Sequence, residues 1–356
     1  MTQVNIEAMK PLAPFTTLEV GGPARFFAEV QSEWEIEEAA SWASSRRLPL
    51  FILGGGSNLL VSDNGFNGLV LHIALKGIQV SESASDPSAR LYQVAAGEGW
   101  DQFVQRAVEN EYAGIECLAG IPGTAGGTPV QNVGAYGQEV ASTVERVRVF
   151  DLRERVFAEF TASECGFAYR RSRFNTGDRG RYVVTRVDYR LRSGGTPTLA
   201  YADLQHDFPE GSNPTMKQVA ETVRRIRLSK GMLLVDGDPD CRSAGSFFKN
   251  PIVTENQAAA ISVAAASEPP RFRTGSDHPG MVKLSAAWLI QKAGFARGYT
   301  LGRAAISGKH TLALVNRGGA TAAEIMKLAE TIRAAVQDRF SLSLEIEPVL
   351  VGFAGQ

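Results

Sequence analysis

Cysteine is scarce in this chain of 356 residues, and its three cysteines, Cys117, Cys165 and Cys241, are odd in number and lack CxxC spacing. That excludes a disulfide framework or a thiolate metal site as the organising device and leaves buried thiols as the expectation. Surplus charge is missing too: 37 basic side chains face 38 acidic ones, so no net field draws in nucleic acid or anionic lipid. There is no long apolar run. The longest stretch of small apolar residues, 258–266, falls far short of a membrane span, and the opening MTQVNIEAMKPLAPF is not a charged start followed by a secretory core. These absences point to a cytoplasmic protein acting on small molecules, without nucleic-acid or membrane partners. Internal repeats and low-complexity tracts are absent as well, which excludes a solenoid or a disordered scaffold.

What is present is length for two or three domains and 36 glycines, several of them clustered. The first seventy-odd residues alternate a strand (ARFFAEV), an amphipathic helix over 33–47 and two strands (PLFILGGG and GLVLHIA), a βαβ-like start. A second block has a strand in LYQVAAGEG, a helix over 100–112, a long glycine-rich loop and a hairpin of VERVRVFD with RVFAEFT. In RYVVTRVDYRL the period of two predicts a strand with one solvated face carrying Arg181, Val183 and Thr185. TPTLAYADLQHDFPEGSNP reads as a connection. Beyond it, Thr215-x-x-Gln218 and Thr321-x-x-Glu324 are capping boxes that open helices, and LSLEIEPVLVGF reads as a closing strand. The boundaries expected from these shifts are 1–75, 76–202 and 203–356.

Two glycine segments carry ligand-binding potential. GGGSNLLVSD, residues 54–63, puts Gly54, Gly55, Gly56, Ser57 and Asn58 directly after a strand, where bare backbone N–H groups can approach an anion. It is neither a Walker loop, lacking Gly-Lys-Ser/Thr, nor a GxGxxG Rossmann turn. GIPGTAGGTPVQNVGAYGQE, residues 120–139, holds five glycines besides Gly120, yet intersperses Ile121, Val130, Val133 and Ala135, residues that a floppy connector would not carry.

GGGSNLLV, AGEGW, GIPGTAGG and QNVGAYG together resemble the FAD-binding half of the UDP-N-acetylenolpyruvoylglucosamine reductase family, and the resemblance runs on to the C-terminus. It implies an α+β protein: a two-subdomain FAD-binding fold of the vanillyl-alcohol-oxidase/PCMH type, followed by a C-terminal α+β substrate-binding domain. It implies non-covalent FAD held by Gly54, Gly55, Gly56, Ser57, Asn58, Ile121, Pro122, Gly123, Thr124, Gly127, Asn132, Gly134, Ala135 and Tyr136. NADPH would be the reductant and a UDP-sugar enolpyruvyl ether the substrate.

Reducing an enolpyruvyl double bond needs a hydride at one carbon, a proton at the other, and a charged or hydrogen-bonding partner for the carboxylate that takes up charge in between. In FAYRRSRFN the family's carboxylate-binding arginine falls on Arg170, a residue type whose planar fork suits that task; Arg171 and Arg173 read as a solvated basic face. SAGSFFKNP aligns the family's proton-donating serine with Ser246, a weak acid that suffices because the carbanion it quenches is strongly basic. Asn250 in the same motif is a substrate contact by resemblance. Glu345 and Glu347 would share a strand face, so spacing leaves both open; the resemblance favours Glu347 as the catalytic carboxylate. Tyr201 matches the tyrosine of the subclass with a substrate-closing loop, and Lys230 the lysine before the serine motif, both toward the UDP moiety. In VKLSAAWLIQKAG, Lys283 and Gln291 are candidate polar contacts, whereas Leu284, Trp288 and Leu289 read as core. The competing reading is a flavin-dependent oxidase or dehydrogenase of an alcohol or lactone. Such enzymes often attach FAD to a histidine in the glycine loop, and His72, His206, His278 and His310 all lie outside residues 54–58.

Overall fold

The structure is a computed structural model describing residues 4–83, 86–272, 274 and 278–353. Contacts divide the chain into two units: Met1–Lys10, Ala24–Gly55 and Asn67–Leu228 form one, and Pro11–Pro23, Gly56–Phe66 and Ser229–Gln356 the other.

The first unit contains two larger sheets over one continuous apolar core. The smaller sheet has the order Glu7–Pro11, Pro23–Val30, Phe66–Ile73, Leu50–Leu53, with the last two strands parallel. Helix Glu33–Ser45 supplies the crossover of the expected βαβ start. Ser32 and Glu35 close its capping box reciprocally, and Ile36, Ala39, Ala40 and Ala43 recur at helical spacing on its buried stripe. The larger, antiparallel sheet runs Val156–Thr161, Val144–Asp151, Tyr182–Ser193, Ala89–Ala95, Ile78–Glu82, and Tyr112–Ala113 also pairs with Tyr182–Ser193. One expectation fails here. Val183 and Thr185 are not solvated but 0% and 1% exposed, because Tyr182–Ser193 is central and helix Glu33–Ser45 covers that face. Thr185 donates to Glu33 at 2.7 Å, and Arg148 pairs with the same carboxylate at 2.8 Å. Alternation with solvent begins only at Arg190. The connection after this strand is not wholly irregular either, since Ala202–Asp207 is a short helix. Thr215 and Gln218 then cap helix Met216–Ser229.

In the second unit, Ser243–Ser246, Ala313–Asn316, Ala304–Ile306 and Thr300–Leu301 form an antiparallel sheet, and Ile252–Thr254, Met281–Leu284 and Arg271–Phe272 a smaller one. Helices Glu255–Ala265, Ala286–Lys292 and Ala322–Phe340 cover a core that includes Leu284, Leu289, Ile325 and Ile332, each 0% exposed. The capping box at Thr321 forms as its sequence predicts. Asp63 adds a second cap from a distant segment, its two carboxylate oxygens accepting from Ala322 N (2.7 Å) and Ala323 N (2.9 Å). The same segment supplies Leu59–Val61, which pairs in parallel with Val349–Val351. The closing strand is thus shorter than the sequence pattern predicts. Pro348 has no N–H to give to a ladder, and residues 345–347 contribute only one isolated bridge, Ile346 with Phe248. Among the described residues no helix is long and apolar enough to cross a membrane, and no cluster of ligating side chains suited to a metal occurs.

Candidate active site

In the first unit Gly54 and Gly55 meet the 120–139 segment. A Cβ on Gly55 would lie 2.5 Å from Gly123 Cα, so the close approach of these backbones demands glycine at 55, and one on Gly54 would lie 3.0 Å from Thr124 Oγ1. The 120–139 segment is pinned from beneath at the AGEGW turn. Trp100 N donates to Gly123 O (3.0 Å), Ala125 N to Glu98 O (2.8 Å) and Gly126 N to Ala96 O (2.9 Å). Tyr189, fully buried on the central strand, bonds Thr128 Oγ1 at 2.6 Å and Ala125 O at 3.1 Å, and burial raises its phenol pKa. The segment ends in a hairpin, Gly134–Ala135 against Gln138–Glu139, whose two turn residues, Tyr136 (φ 49°) and Gly137 (φ 86°), are both left-handed. Ile121, Val133, Ala135 and Tyr136 pack against the core, so the segment is an ordered cradle. Its makeup fits a dinucleotide pyrophosphate: bare backbone, the hydroxyl of Thr124, and no carboxylate in 120–128 to repel an anion.

Arg170 lies in the tight turn Ala168–Arg171 with φ 54°, a conformation costly for a residue with a Cβ. Its guanidinium donates to Gly134 O at 2.9 Å, which brings it to the cradle's rim. Of the basic residues beside it, Arg171 is exposed, as the sequence suggests. Arg173 is not a solvated charge: it pairs with Asp178 at 2.7 Å and lies 3.8 Å over the Phe160 ring. Tyr201 meets Tyr136 edge to face at 5.4 Å, at the start of helix Ala202–Asp207. The sequence reading missed Arg227. This buried guanidinium donates to Gly120 O at 3.1 Å and is bonded to Tyr136; burial lowers its pKa, opposed chiefly by Tyr136 and Asp101. The signal was available, since Met216, Ala220, Val223 and Arg227 follow helical spacing and put an arginine on the apolar stripe.

In the second unit Ser246 ends strand Ser243–Ser246, anchored by Phe247 and Phe248, whose rings meet edge to face and are 0% and 1% exposed. Burial of each ring is worth about 1.5–3 kcal/mol. Phe247 O accepts the Glu347 N–H at 2.9 Å, so the serine and glutamate segments run side by side. Asn58 closes the other side, its side-chain amide donating to Glu347 O at 3.4 Å and its main-chain carbonyl accepting from Val349 N at 2.9 Å. The two candidate glutamates separate here. Glu345, with a side chain 70% exposed, pairs with Lys249 at 2.5 Å, whereas Glu347 is half-buried beside the serine segment. Asn250 Oδ1 accepts from Ala286 N at 2.9 Å, committing that oxygen to the start of a helix. Gln291 donates to Thr311 at 2.9 Å, and Lys283 sits in the centre of its small sheet. Leu284 and Leu289 are core, while half-buried Trp288 stacks on Phe340 at 6.3 Å. Lys230 follows helix Met216–Ser229, and its charge acts on His310, whose pKa burial lowers to about 4. All three cysteines are free and buried, and burial raises the thiol pKa of each, Cys165 to about 12.

A cradle of this composition defines the class first: a model of an FAD binding domain matches residues 24–157, so the chain is a flavoprotein with a second α+β domain. Residues 238–351 match the C-terminal domain of UDP-N-acetylenolpyruvoylglucosamine reductase. The curated reductase of that name from Streptomyces coelicolor is 45% identical over 354 residues, covering 97% of this chain and 90% of its own length. The one from Thermobifida fusca is 44% identical, with 96% and 97% covered. The crystal structure of the reductase from Thermus caldophilus is 27% identical at a TM-score of 0.66, covering 99% of this chain and all of that one. The chain belongs to the UDP-N-acetylenolpyruvoylglucosamine reductase family.

Proposed function

We propose that the protein reduces UDP-N-acetylglucosamine enolpyruvate to UDP-N-acetylmuramate with NADPH through non-covalently bound FAD, a step in peptidoglycan precursor synthesis in the cytoplasm. The observation that carries this reading beyond family membership is that residues 345–347 pair with the segment after Ser246, Glu347 half-buried there while the exposed Glu345 carboxylate is engaged by Lys249. Residues 54–58, 120–131 and 133–136 would hold FAD, which would supply hydride transfer from NADPH to one carbon of the enolpyruvyl double bond. Arg170 pairs with the substrate carboxylate and stabilises the charge it gains. The Ser246 hydroxyl gives its proton to the other carbon, and Glu347 supplies the electrostatics of that transfer. Tyr201, Lys230, Asn250, Lys283 and Gln291 hold the UDP-sugar. As working modules, 1–75 and 76–202 serve the cofactor and 203–356 the substrate. Balanced charge supports small-molecule partners alone.

The test separates the half-reactions by anaerobic stopped flow. Ser246→Ala leaves flavin reduction by NADPH near wild type, because that step involves no enol ether, but slows reoxidation by the enolpyruvyl sugar on the order of 10²–10⁴-fold. Ser246→Cys recovers part of the rate, since a thiol is a stronger acid than a hydroxyl. Equal slowing of both halves by alanine removes Ser246 from the chemistry. A reduced wild-type flavin that ignores the sugar and responds only to oxygen refutes the reading as a whole.

A further inference from the structure

The Arg170 turn is fastened to the glycine cradle by polar side chains that are themselves buried. Ala168 and Arg171 exchange backbone hydrogen bonds of 3.0 Å in both directions, and Arg170 between them is left-handed. Asn175 braces the turn from one side, its amide donating to Arg170 O at 3.1 Å while its carbonyl accepts from Ser172 N at 2.9 Å. Asn132 and Ser172, each 1% exposed, tie the turn to the cradle. Asn132 Nδ2 donates to Ala168 O at 3.0 Å and to Glu139 at 2.8 Å, and its Oδ1 accepts from Ala141 N at 3.2 Å. Ser172 Oγ donates to Val130 O at 2.7 Å and accepts from Phe174 N at 3.1 Å. Both donor protons of the Asn132 amide and an acceptor position are committed within the protein, which argues against the flavin contact that the sequence suggests for this side chain.

We propose that Ser172 and Asn132 are positioning residues: they make the placement of the Arg170 guanidinium depend on the ordered cradle, so that the carboxylate partner is set where the flavin-binding loop dictates. The physical requirement is tight, because a bidentate partner misplaced by about 1 Å costs on the order of 10²-fold in rate. The proposal rests on Arg170 binding the substrate carboxylate.

The test compares Ser172→Ala and Asn132→Gly, the latter keeping the left-handed backbone (φ 47°), with Arg170→Lys in the FAD-loaded enzyme. Both positioning variants should bind FAD stoichiometrically and be reduced by NADPH within about threefold of wild type, while reoxidation by the enolpyruvyl sugar slows by roughly 10–100-fold. Titrated by flavin absorbance, binding of the enolpyruvyl sugar should weaken, and binding of UDP-N-acetylglucosamine, which lacks the carboxylate, should not. Loss of FAD from Ser172→Ala, or equal slowing of both half-reactions, would overturn the proposal by making these residues supports of the cofactor. If Arg170→Lys slows reoxidation but Ser172→Ala and Asn132→Gly match wild type, the positioning role fails while the reading of Arg170 stands. If Arg170→Lys itself reoxidises normally, that reading is the one that falls.

Discussion

Arg170 keeps a side chain in a backbone conformation that glycine would occupy at less cost, which sets stability against function at one position. Arg170→Gly and Arg170→Ala both lose the 2.9 Å bond to Gly134 O, but only alanine retains the strain of φ 54°. Glycine should therefore leave the protein more stable than alanine does, by about 1 kcal/mol, with both variants failing to turn over the enolpyruvyl sugar. Urea unfolding of the pair measures this, and an alanine variant as stable as glycine would mean that the turn is not strained. His310 gives a pH dependence of definite sign. Its Nδ1 accepts from Leu312 N at 3.0 Å, and burial, then Lys230 and Arg297, disfavours the imidazolium, so the folded pKa is about 4 against an ordinary 6.5. Above pH 6.5 the ring is neutral in both states and costs nothing. As pH falls from 6.5 to 4 the unfolded chain takes up a proton that the folded one refuses, and stability declines, by on the order of 3 kcal/mol. His310→Asn, which keeps an acceptor but cannot titrate, should flatten this part of the stability profile in urea unfolding between pH 7 and 4; an unchanged slope would exclude His310 as its source.

At the scale of elements, helix Ala322–Phe340 is held at its start by a local and a distant cap. Thr321 and Glu324 were legible in the sequence because a capping box is a pattern four residues long. Asp63 was not, since nothing in the sequence says that a carboxylate some 260 residues away will meet the free N–H groups of Ala322 and Ala323. Thr321→Ala should cost about 1 kcal/mol and Asp63→Ala about 1–2 kcal/mol, the larger figure reflecting two charge-assisted bonds at the positive end of the helix dipole. High salt should shrink the Asp63 effect more than the Thr321 effect. Denaturation curves for the two variants with and without salt decide it, and a silent Asp63→Ala would reduce that contact to a surface accident. Strand Tyr182–Ser193 teaches the converse: its period of two was read correctly as β, but Thr185 lies under a helix, and alternation reports a strand without saying what covers either face.

For the whole molecule, the two glycine segments and the lack of a histidine in residues 54–58 predict FAD that is bound but not attached. Acid precipitation should release all the flavin to the supernatant, and yellow colour remaining on the peptide would contradict this. Because FAD binds only the folded state, adding it to flavin-free protein should raise the unfolding midpoint progressively, by an amount set by [FAD]/Kd.

The sequence by itself determined helices Glu33–Ser45, Trp100–Glu109, Met216–Ser229 and Ala322–Phe340, the caps of the last two, the longer strands, both glycine segments and the motifs SAGSFFKNP and FAYRR, because each is written in neighbouring residues whose chemistry is local. Tertiary structure decided what depends on residues far apart. It met Gly55 with Gly123 so closely that Gly55 tolerates no side chain, buried Arg227 against Gly120 and Tyr136, and bound the Arg170 turn to the cradle through Asn132 and Ser172. It also gave Glu345 and Glu347, which spacing left equivalent, different surroundings: Glu347 is half-buried with its N–H on Phe247 O, while the exposed Glu345 carboxylate pairs with Lys249. Burial and pairing across the chain are properties of packing, and a one-dimensional pattern carries them only where one face repeats.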